Sequence, residues 1–420
     1  MEFKQYPSYK NSGVEWLGEV PEGWEVKRLG NHFTQRKEKV SDKDFPPLSV
    51  TKNGIVPQLE NAAKTDNGDN RKLVRNGDYV INSRSDRKGS SGLSNLDGSV
   101  SLINIVLKPF QTIYSKFSHY LFRSYLFQEE FYKYGHGIVA DLWTTNYDDM
   151  RNIYLALPDI NDQQKIVSFL DTETARIDNL ISKQEKLIEL LEEQRKSIIS
   201  HAVTKGLNPN APMKNSGVEW LGEVPEGWEV LKLRQLAKLE SGMTLSLDKI
   251  NDNGEYPVYG GNNIRGFTES YNMEGIYILI GRQGSLCGNI NYVSGKFWAT
   301  EHAVVVYPKK EVNIIFLGEL LRTMNLNQYS LASAQAGLSV DRISNLYTLY
   351  APITEQNQIA KIIKEENLKV DQLISKQKKL IEKLKEYRSS IISHAVTGKI
   401  DVRHHASHPT GNNKNIMEAI

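Results

Sequence analysis

The stretch that decides the fold is KNSGVEWLGEVPEGWEV, which occurs at Lys10–Val26 and again, letter for letter, at Lys214–Val230. The two copies lie 204 residues apart. Seventeen consecutive identities do not arise by chance, so the chain contains an internal repeat. In a chain of 420 residues, a repeat with this offset predicts two similar halves, each long enough to fold as a domain.

A second matched pair lies toward the end of each half. Gln163–Thr204 and Gln356–Thr397 share 24 of 42 residues, including SIISHAVT in both copies. Neither stretch contains Pro or Gly, and apolar residues recur at seven-residue intervals, as at Ile177, Leu191 and Ile198. This stripe is typical of a helix that packs against another helix. We therefore expect one long helix after each domain.

The two interiors, 27–157 and 231–351, share little sequence, but they share an order of signals. Each has a β-rich run that ends in arginine, DYVINSR (78–84) and IYILIGR (276–282), and then a Gly/Ser-rich turn. A second β-rich run and a helix-like segment follow in both halves. We therefore expect each half to be an α+β domain. Unlike interiors on one scaffold imply two different ligands.

The composition excludes several classes of protein. Lys plus Arg is 52 and Asp plus Glu is 50, so the formal net charge is +2, which allows a local basic groove but not a uniformly basic chain. The single cysteine, Cys287, excludes a disulfide framework and fits a reducing cytoplasm. No apolar run approaches the ~20 residues that cross a bilayer. MEFKQYPSYK (1–10) also lacks the apolar core of a signal peptide. We expect a cytoplasmic protein with no membrane contact.

Catalytic signatures are incomplete throughout the sequence. There is no G-x-x-x-x-G-K-[ST] phosphate loop and no Asn-Pro-Pro-aromatic or Asp-Pro-Pro-aromatic tetrapeptide. Pro158-Asp159 has no Asp/Glu-x-Lys closely downstream, which argues against a nuclease metal site. His404, His405 and His408 lie in a polar segment that we interpret as a disordered tail. We expect no catalytic residue, no metal and no cofactor.

Taken together, these segments resemble the DNA-specificity subunits of Type I restriction–modification enzymes. The resemblance is carried by SGVEWLGEVPEGWEV at both domain starts, by QAGLSVDRISNL (335–346), and by FLDTETARIDNLISKQEKLIELLEEQRKSIISHAVT (169–204) with its partial copy. It implies an α+β fold with two tandem target-recognition domains related by pseudo-two-fold symmetry. Two long helices, packed as an antiparallel coiled coil, would separate the domains. The first domain departs from the family by having DLWTTNYDDM (141–150) where the second has GLSVDRI.

On this resemblance we divide the chain into five parts. They are a first target-recognition domain (1–158), a first spacer helix (159–204), a second target-recognition domain (205–352), a second spacer helix (353–400) and a disordered tail (401–420). The resemblance implies a non-catalytic subunit that reads a bipartite, asymmetric site in double-stranded DNA, one half with each domain. It also implies two methyltransferase subunits as partners, and restriction/translocase subunits in the full complex.

The types of side chain that read DNA are well defined, but the sequence indicates their positions less clearly. Arg reads guanine, and Asn or Gln reads adenine, whereas Lys and Ser often hold phosphate. The loops after the first β-rich runs concentrate these side chains, and a Gly-rich stretch allows close approach of the backbone. An ordinary solvated hairpin is the alternative at each place. The candidate DNA-binding residues are Lys52, Asn53, Arg84, Arg87, Lys88, Asn262, Asn263, Arg265, Arg282 and Gln283.

Residues in the identical segments point to a function that both halves share. Identical side chains cannot give two halves different specificities, so we expect them to contact a partner or to pack the domain against its helix. For the tryptophans, base stacking is the alternative, and packing is favoured. The candidate partner-binding residues are Trp16, Trp24, Trp220, Trp228, His201 and His394.

Two other functions remain open from the sequence. The first is a tandem-domain scaffold that binds proteins rather than DNA, which the near-neutral charge permits. The second is an enzyme, which the missing motifs disfavour. Salt-dependent binding to duplex DNA in the presence of a methyltransferase partner would separate a specificity subunit from a scaffold.

Overall fold

The structure is a computed structural model that describes residues 3–60, 68–137, 143–284, 286–330 and 337–405. It divides into two compact units, one of Met1–Gln184 with Lys378–Ile420 and the other of Glu185–Gln377. Each unit contains one α+β domain and one half of each of two long helices.

The first unit is built from short strands, three short helices and the first part of a long helix. Its elements are β1 (Tyr9–Asn11), β2 (Glu19–Pro21), β3 (Glu25–Arg28), β4 (Phe33–Gln35), β5 (Lys39–Val40), β6 (Leu48–Thr51), β7 (Gly54–Pro57), β8 (Arg71–Val74), β9 (Tyr79–Asn82), β10 (Ser91–Leu93), β11 (Gly98–Val100), β12 (Asn104–Pro109), α1 (Ser115–Arg123), α2 (Tyr125–Lys133), α3 (Tyr147–Met150), β13 (Tyr154–Leu157) and α4 (Ile160–Lys205).

Two small sheets form the interior of the first domain. One has the order β10-β9-β12-β4 and the other the order β11-β8-β5. β9, YVIN, is buried along its whole length, because successive side chains of a strand point to opposite faces and both faces are covered. Tyr79 and Ile81 pack into the main core of the unit, whereas Val80 packs into a smaller core with Val100. The sheet is therefore sandwiched between two apolar layers.

The second unit has one large sheet in place of two small ones. Its elements, after the end of α4, are β14 (Met213–Asn215), β15 (Glu223–Pro225), β16 (Glu229–Lys232), α5 (Leu233–Leu236), β17 (Ala237–Ser241), β18 (Tyr256–Tyr259), β19 (Ile264–Thr268), β20 (Met273–Gly281), β21 (Ile290–Ala299), β22 (Ala303–Pro308), α6 (Ile314–Thr323), α7 (Val340–Ser344), β23 (Tyr347–Tyr350) and the first part of α8 (Ile353–Val396). The sheet has the order β17-β22-β20-β21-β18-β19, and β18 runs parallel to β21.

The long helices pack antiparallel, as the resemblance implies. Within the first unit, Arg388 of α8 forms an ion pair with Asp178 of α4, with Nε and Oδ1 2.8 Å apart. Within the second unit, Arg195 of α4 pairs with Asp371 of α8 at 2.6 Å. The offset of 193 residues relates Asp178 to Asp371 and Arg195 to Arg388. Each unit thus pairs equivalent residues with the helices exchanged, although Arg195 is also paired with Glu192 of its own helix.

The predicted tail begins with residues that pack against the first domain. Val402 is buried, and the backbone N–H of Asp401 donates to the carbonyl of Lys4 at 2.7 Å. The guanidinium of Arg403 lies 4.6 Å from the ring centroid of Tyr6. Residues 406–420 lie outside the described part of the chain.

Candidate nucleic-acid interface

In the first domain, the loop after β9 is held beside a second loop. The N–H of Ser85 donates to the carbonyl of Trp143 at 2.9 Å, and the N–H of Thr145 donates to the carbonyl of Ser83 at 3.0 Å. Arg84 and Thr144 form an isolated antiparallel bridge between these loops. The stretch that departs from the family pattern therefore takes part in positioning Arg84.

The three basic candidates in this loop have different surroundings. Arg84 and Arg87 are exposed, and the Nε of Arg87 lies 3.5 Å from the carboxylate of Asp86. Lys88 instead forms an ion pair with Glu129, and its ammonium group lies 5.9 Å from the ring centroid of Tyr125. Lys88 is engaged by its own domain, so the two arginines are the side chains of this loop that are available to a phosphate or a base.

A cleft of about 940 Å³ brings two separate predicted segments together. Lys52, in the turn between β6 and β7, lines it together with Arg87. The backbone carbonyl of Lys52 accepts a hydrogen bond from Arg123, and the adjacent Asn53 is exposed. The turn is thus fixed through its backbone while both its side chains face outward.

Asn104 lies in the same cleft and was not found by sequence reasoning. It is 5 % exposed, and its side-chain Nδ2 donates to the carbonyl of Ser101 at 3.1 Å. Within the described residues its Oδ1 has no hydrogen-bond partner. Burial lowers the pKa of the nearby Lys72, whose ammonium group donates to the carbonyl of Asn104 at 2.6 Å. The cleft therefore offers a buried acceptor, and its charged lining is mixed, with Lys52 and Arg87 beside Glu60 and Asp86.

In the second domain, the candidate residues lie on two loops that touch, apart from Arg265, which lies on strand β19. The Nδ2 of Asn289, in the loop after β20, donates to the Oδ1 of Asn262 at 2.9 Å. Asn263 has a φ of 54°, a left-handed conformation that asparagine tolerates better than most residues. Asn263 and Arg265 are exposed, whereas Asn262 is half-buried. The Gly-rich stretch thus forms a tight turn that carries two outward side chains.

Arg282 and Gln283 have different environments in the second domain. Arg282 is half-buried, and its Nη1 donates to the Oγ of Ser241 at 3.2 Å. Gln283 is exposed and forms an isolated bridge with Gly337. Arg282 therefore fixes the loop, and Gln283 presents its side chain to solvent. Ser285, in the same turn, lies outside the described residues.

The register of the strands corrects the sequence pairing of the two loops. Asn82 pairs with Asn104 in the first domain, and Gly281 pairs with Ala303 in the second. Ser83 is therefore equivalent to Arg282, and Arg84 to Gln283. Matching the β-rich runs by their terminal arginines is wrong by one residue, because the strands are aligned by their hydrogen-bonded neighbours rather than by their last charged residue.

The candidate partner-binding residues fall into two groups. Trp24 and Trp228 are buried, each in the core where its domain meets the end of a long helix. Trp16 and Trp220 are half-buried at the edges of these cores. These rings pack domain against helix and are largely covered by the chain itself. His201 and His394 are exposed at equivalent positions of α4 and α8.

The described residues offer little for catalysis. Burial raises the pKa of the Cys287 thiol, which disfavours the nucleophilic thiolate. Among the described residues there is no group of three or more His, Cys, Asp or Glu side chains arranged to hold a metal ion. Of the helices in the described ranges, none combines the length and the apolar character of a membrane span.

Two relatives are similar to this chain over very different lengths. The EcoprrI specificity subunit of Escherichia coli is 42 % identical over 135 residues, which cover 31 % of this chain and 34 % of that protein. The putative MjaX specificity subunit of Methanocaldococcus jannaschii is 23 % identical over 442 residues, which cover 95 % of this chain and 99 % of that protein. The chain thus spans about a third of the length of the first relative and nearly all of the second.

Two solved structures share the fold. One comes from a study of complex assembly and conformational transition of the type I R-M system. It has a TM-score of 0.70 at 15 % identity, over 90 % of this chain and 98 % of that one. The HsdS subunit from Thermoanaerobacter tengcongensis has a TM-score of 0.53 at 17 % identity, over 91 % and 98 %. At these identities the likeness concerns the fold alone.

A family model gives the assignment. The model for the Type I restriction modification DNA specificity domain matches residues 21–190 and again residues 225–386. The two matches together cover well over half of the 420 residues. The chain therefore belongs to the Type I restriction modification DNA specificity domain family and carries two copies of that domain in tandem.

Proposed function

We propose that the chain is the sequence-specific DNA-binding subunit of a Type I restriction–modification complex. Each target-recognition domain reads one half of a bipartite, asymmetric site in double-stranded DNA and directs methylation or restriction by partner subunits. The observation that carries this proposal is the combination of like ends with unlike interiors on two tandem family domains. Like ends suit two copies of one partner, and unlike interiors suit two different half-sites.

The DNA-contacting surface of the first domain is formed by the loop after β9 and by the β6–β7 turn, which meet at the cleft that Lys52 and Arg87 line. Arg84 and Arg87 are its base-reading candidates, and Lys52 and Asn53 contact the backbone or a neighbouring base edge. In the second domain Asn263, Arg265 and Gln283 have the exposed side chains. Lys88, Asn262 and Arg282 hold the loops that carry these residues, and they contribute to DNA binding by positioning.

Salt-dependent binding tests this assignment most directly. The chain is purified with its methyltransferase partner, and its affinity for a duplex that contains the methylated site is measured between 50 and 200 mM salt, the range over which proteins with ~6–10 phosphate contacts lose ~10³–10⁵ in affinity. Arg87→Ala should weaken binding and reduce the salt dependence, because it removes a cation that DNA can reach. Tyr125→Phe, which preserves the ring beneath Lys88, is the matched control and should bind as wild type. Salt-independent binding, or no preference for the site, would contradict the proposal.

The two methyltransferase subunits bind at equivalent surfaces near the helix ends. His201 and His394 are exposed there at positions related by the repeat, and we propose that they contact these subunits. Native mass spectrometry at saturating methyltransferase should give one copy of this chain with two partners. A stable one-to-one complex would contradict the proposal. Restriction/translocase subunits then join the assembly.

The remaining parts of the proposal follow from membership of the family. The chain acts in the cytoplasm, without membrane contact, catalytic residues or a cofactor of its own. A scaffold that binds only proteins is disfavoured, because both domains match a DNA-specificity family. Exchange of the interior 231–351 for that of a relative should change one half of the methylated site and leave the other unchanged, as methylome sequencing would detect.

A further inference from the structure

The turn before the last strand of each central sheet is equivalent in the two domains. In the first, the N–H of Asn104 donates to the carbonyl of Ser101 at 3.0 Å, and in the second the N–H of Ala303 donates to the carbonyl of Thr300 at 2.9 Å. The turns connect to the candidate loops in the same way, with the carbonyls of Ile103 and His302 each accepting from the loop after the neighbouring strand. Leu102 is therefore equivalent to Glu301, and Ile103 to His302.

The two turns have the same backbone but opposite chemistry. Leu102 and Ile103 are 39 % and 38 % exposed, so neither is buried in the core. The side chains of Glu301 and His302 are exposed to a similar extent, 36 % and 34 %. Each turn thus presents two side chains beside the loop that carries Arg84 or Gln283. The turn has the same place in both domains but different side chains. It is therefore a position at which the two domains can differ in the bases that they recognise.

The side chain of Glu301 is partly exposed, and neighbouring groups fix its position at the turn. Its Oε1 lies 3.2 Å from the Nε2 of His302, and its backbone carbonyl accepts from the Nη1 of Arg282 at 3.5 Å. Its Oε2 is covered, and within the described residues it has no hydrogen-bond partner. Because Oε2 is covered by the chain itself, a base can reach the carboxylate only through Oε1, which lies beside His302.

A carboxylate on a DNA-binding surface has few uses. Phosphates repel it, and the guanine and thymine edges of the major groove offer it mainly acceptors. The donors in that groove are the N6 amino group of adenine, which lies beside the N7 acceptor, and the N4 amino group of cytosine; the cytosine group is the usual partner of Glu and Asp side chains. Leucine at the equivalent position can make only apolar contact, for which the thymine methyl is the available group.

We propose that Glu301 is a specificity-determining residue of the second half-site, where it accepts a hydrogen bond from the N4 amino group of a cytosine. The inference rests on the proposed function and deepens it. Leu102 occupies the same position toward the first half-site and reads no amino group. Glu301 thus acts on one base pair of one half-site, which distinguishes it from a residue that merely holds the fold.

The test uses the full complex and competition binding with duplexes in which each base pair of both half-sites is changed in turn. Glu301→Gln should reduce discrimination at one C·G pair of the second half-site by ~10-fold or more, because a good base contact is worth about that much. The other positions and the whole first half-site should keep the wild-type profile. Glu311→Gln, an exposed acid beyond the opposite end of β22, is the matched control and should change nothing.

A second measurement uses the wild-type chain and does not depend on a variant that folds. Placing N4-methylcytosine at each cytosine of the second half-site replaces the major-groove N–H by a methyl group, and at one position the affinity should fall by ~10-fold or more. If no cytosine there responds, or if Glu301→Gln folds and keeps the wild-type profile, the assignment of Glu301 is overturned while the proposed function stands. Equal changes in both half-sites also overturn it. If the wild-type complex binds no duplex selectively, the proposed function itself has failed.

Discussion

The two units are alike where a helix ends against a domain. α4 is followed by Gly206 at a φ of 77° and α8 is closed by Gly398 at 74°, both in the left-handed region that favours glycine at a helix C-terminus. A Cβ on Gly398 would lie 2.5 Å from the ring of Pro21, and one on Gly206 would lie 2.7 Å from the Glu355 carboxylate. Gly398 is needed both for its φ and for its space, whereas Gly206 is needed mainly for its φ, because a glutamate side chain can move aside.

A lysine beside each glycine makes the same hydrogen bond in both units. Lys205 precedes its glycine and Lys399 follows its own, so the two lysines are not aligned in sequence. Yet the Nζ of Lys205 donates to the carbonyl of Leu221 at 2.8 Å, and that of Lys399 donates to the equivalent carbonyl of Leu17 at 2.9 Å. The contact is the same although the sequence position has moved by one residue.

The interiors differ as strongly as the junctions agree. The first domain divides its strands between a four-stranded and a three-stranded sheet, whereas the second has one six-stranded sheet. Both nevertheless retain the central strand pair and the turn that leads into it. The scaffold thus constrains the junction and one strand pair, and the rest of each domain can change. The predictions that follow test how far the two junctions are equivalent.

The largest effect is expected from the buried tryptophans. Trp24→Ala and Trp228→Ala should each reduce the free energy of unfolding of their unit by ~3–5 kcal/mol, as large-to-small changes in cores do. Trp228→Phe should destabilise its unit more than Trp24→Phe destabilises the other, because the Nε1 of Trp228 donates to Glu355 at 2.8 Å. Within the described residues, the Nε1 of Trp24 makes no such bond. Hydrogen exchange at the two helix ends measures each unit separately, and equal effects of the two Phe variants would contradict the difference.

A somewhat smaller effect is expected from two glutamines that begin the long helices. Gln163 accepts from the N–H of Tyr114 at 2.8 Å and donates to two carbonyls, whereas Gln356 accepts from the N–H of Asn313 at 2.9 Å and donates to one. Both are fully buried. Replacement by Leu should cost ~1–3 kcal/mol for each group left unsatisfied, so Gln163→Leu should be the more severe.

Denaturant unfolding with hydrogen exchange at the helix starts would rank the two glutamine variants. The exposed residues Gln164 and Gln358 lie within two positions of them in the chain, and their Leu variants are the matched controls. The reverse order of severity would mean that the number of bonds at the helix start does not govern the stability of the junction.

The parts of the fold that repeat could be predicted from the sequence, because identity and heptads report directly on shared packing. The long helices end within a few residues of the expected bounds. The pairing of arginines failed by one residue because sheet register is set by neighbouring strands, which a single sequence does not reveal. The burial of Gln163 and Gln356 was missed for a similar reason, since the polar groups that they satisfy lie far away in sequence.

The candidate interface was predictable in type and only partly in position. Lys52 and Arg87 line one cleft, which loop chemistry alone did not reveal, and Lys88 is held by Glu129, which lies about forty residues later. The TEHA turn at Thr300–Ala303 could have been noticed, since it immediately precedes a β-rich run and places an acid in a predicted DNA-reading domain. Asn104 gave no signal, because its burial depends on the strand pairing.

A moderate, pH-dependent effect is expected from Arg403, which has no counterpart in the second unit. Its Nε donates to Asp401 at 2.9 Å and its Nη1 to Asp162 at 2.9 Å. The hydrogen bond from Arg403 lowers the pKa of Asp401 below 3.8. Burial works in the opposite direction at Asp162, but hydrogen bonds from Lys165 and Arg403 outweigh it and lower that pKa as well.

Because both folded-state pKa values are depressed, the stability that they contribute is present above the ordinary value of 3.8 and is lost as the pH falls through the folded pKa values. Arg403→Ala should cost ~1–2 kcal/mol at pH 7 and should flatten this acid dependence. Unfolding between pH 7 and 2.5 measures both, with Arg28→Ala as an exposed control. An unchanged acid dependence in Arg403→Ala would show that other carboxylates dominate it.

The smallest effect is expected from the ion pairs between the helices, and it is the sharpest test of their equivalence. Asp178 and Asp371 are more than half exposed, so water and salt screen both pairs. Double-mutant cycles with Ala at Arg195 and Asp371, and at Arg388 and Asp178, should each give a coupling energy of ~0.2–1 kcal/mol. Both values should fall at high salt, and that of Arg195 and Asp371 should be the smaller, because Arg195 is shared with Glu192 whereas Arg388 binds Asp178 through both Nε and Nη2. A coupling confined to one unit would mean that the helix pair is symmetric in sequence but not in energy.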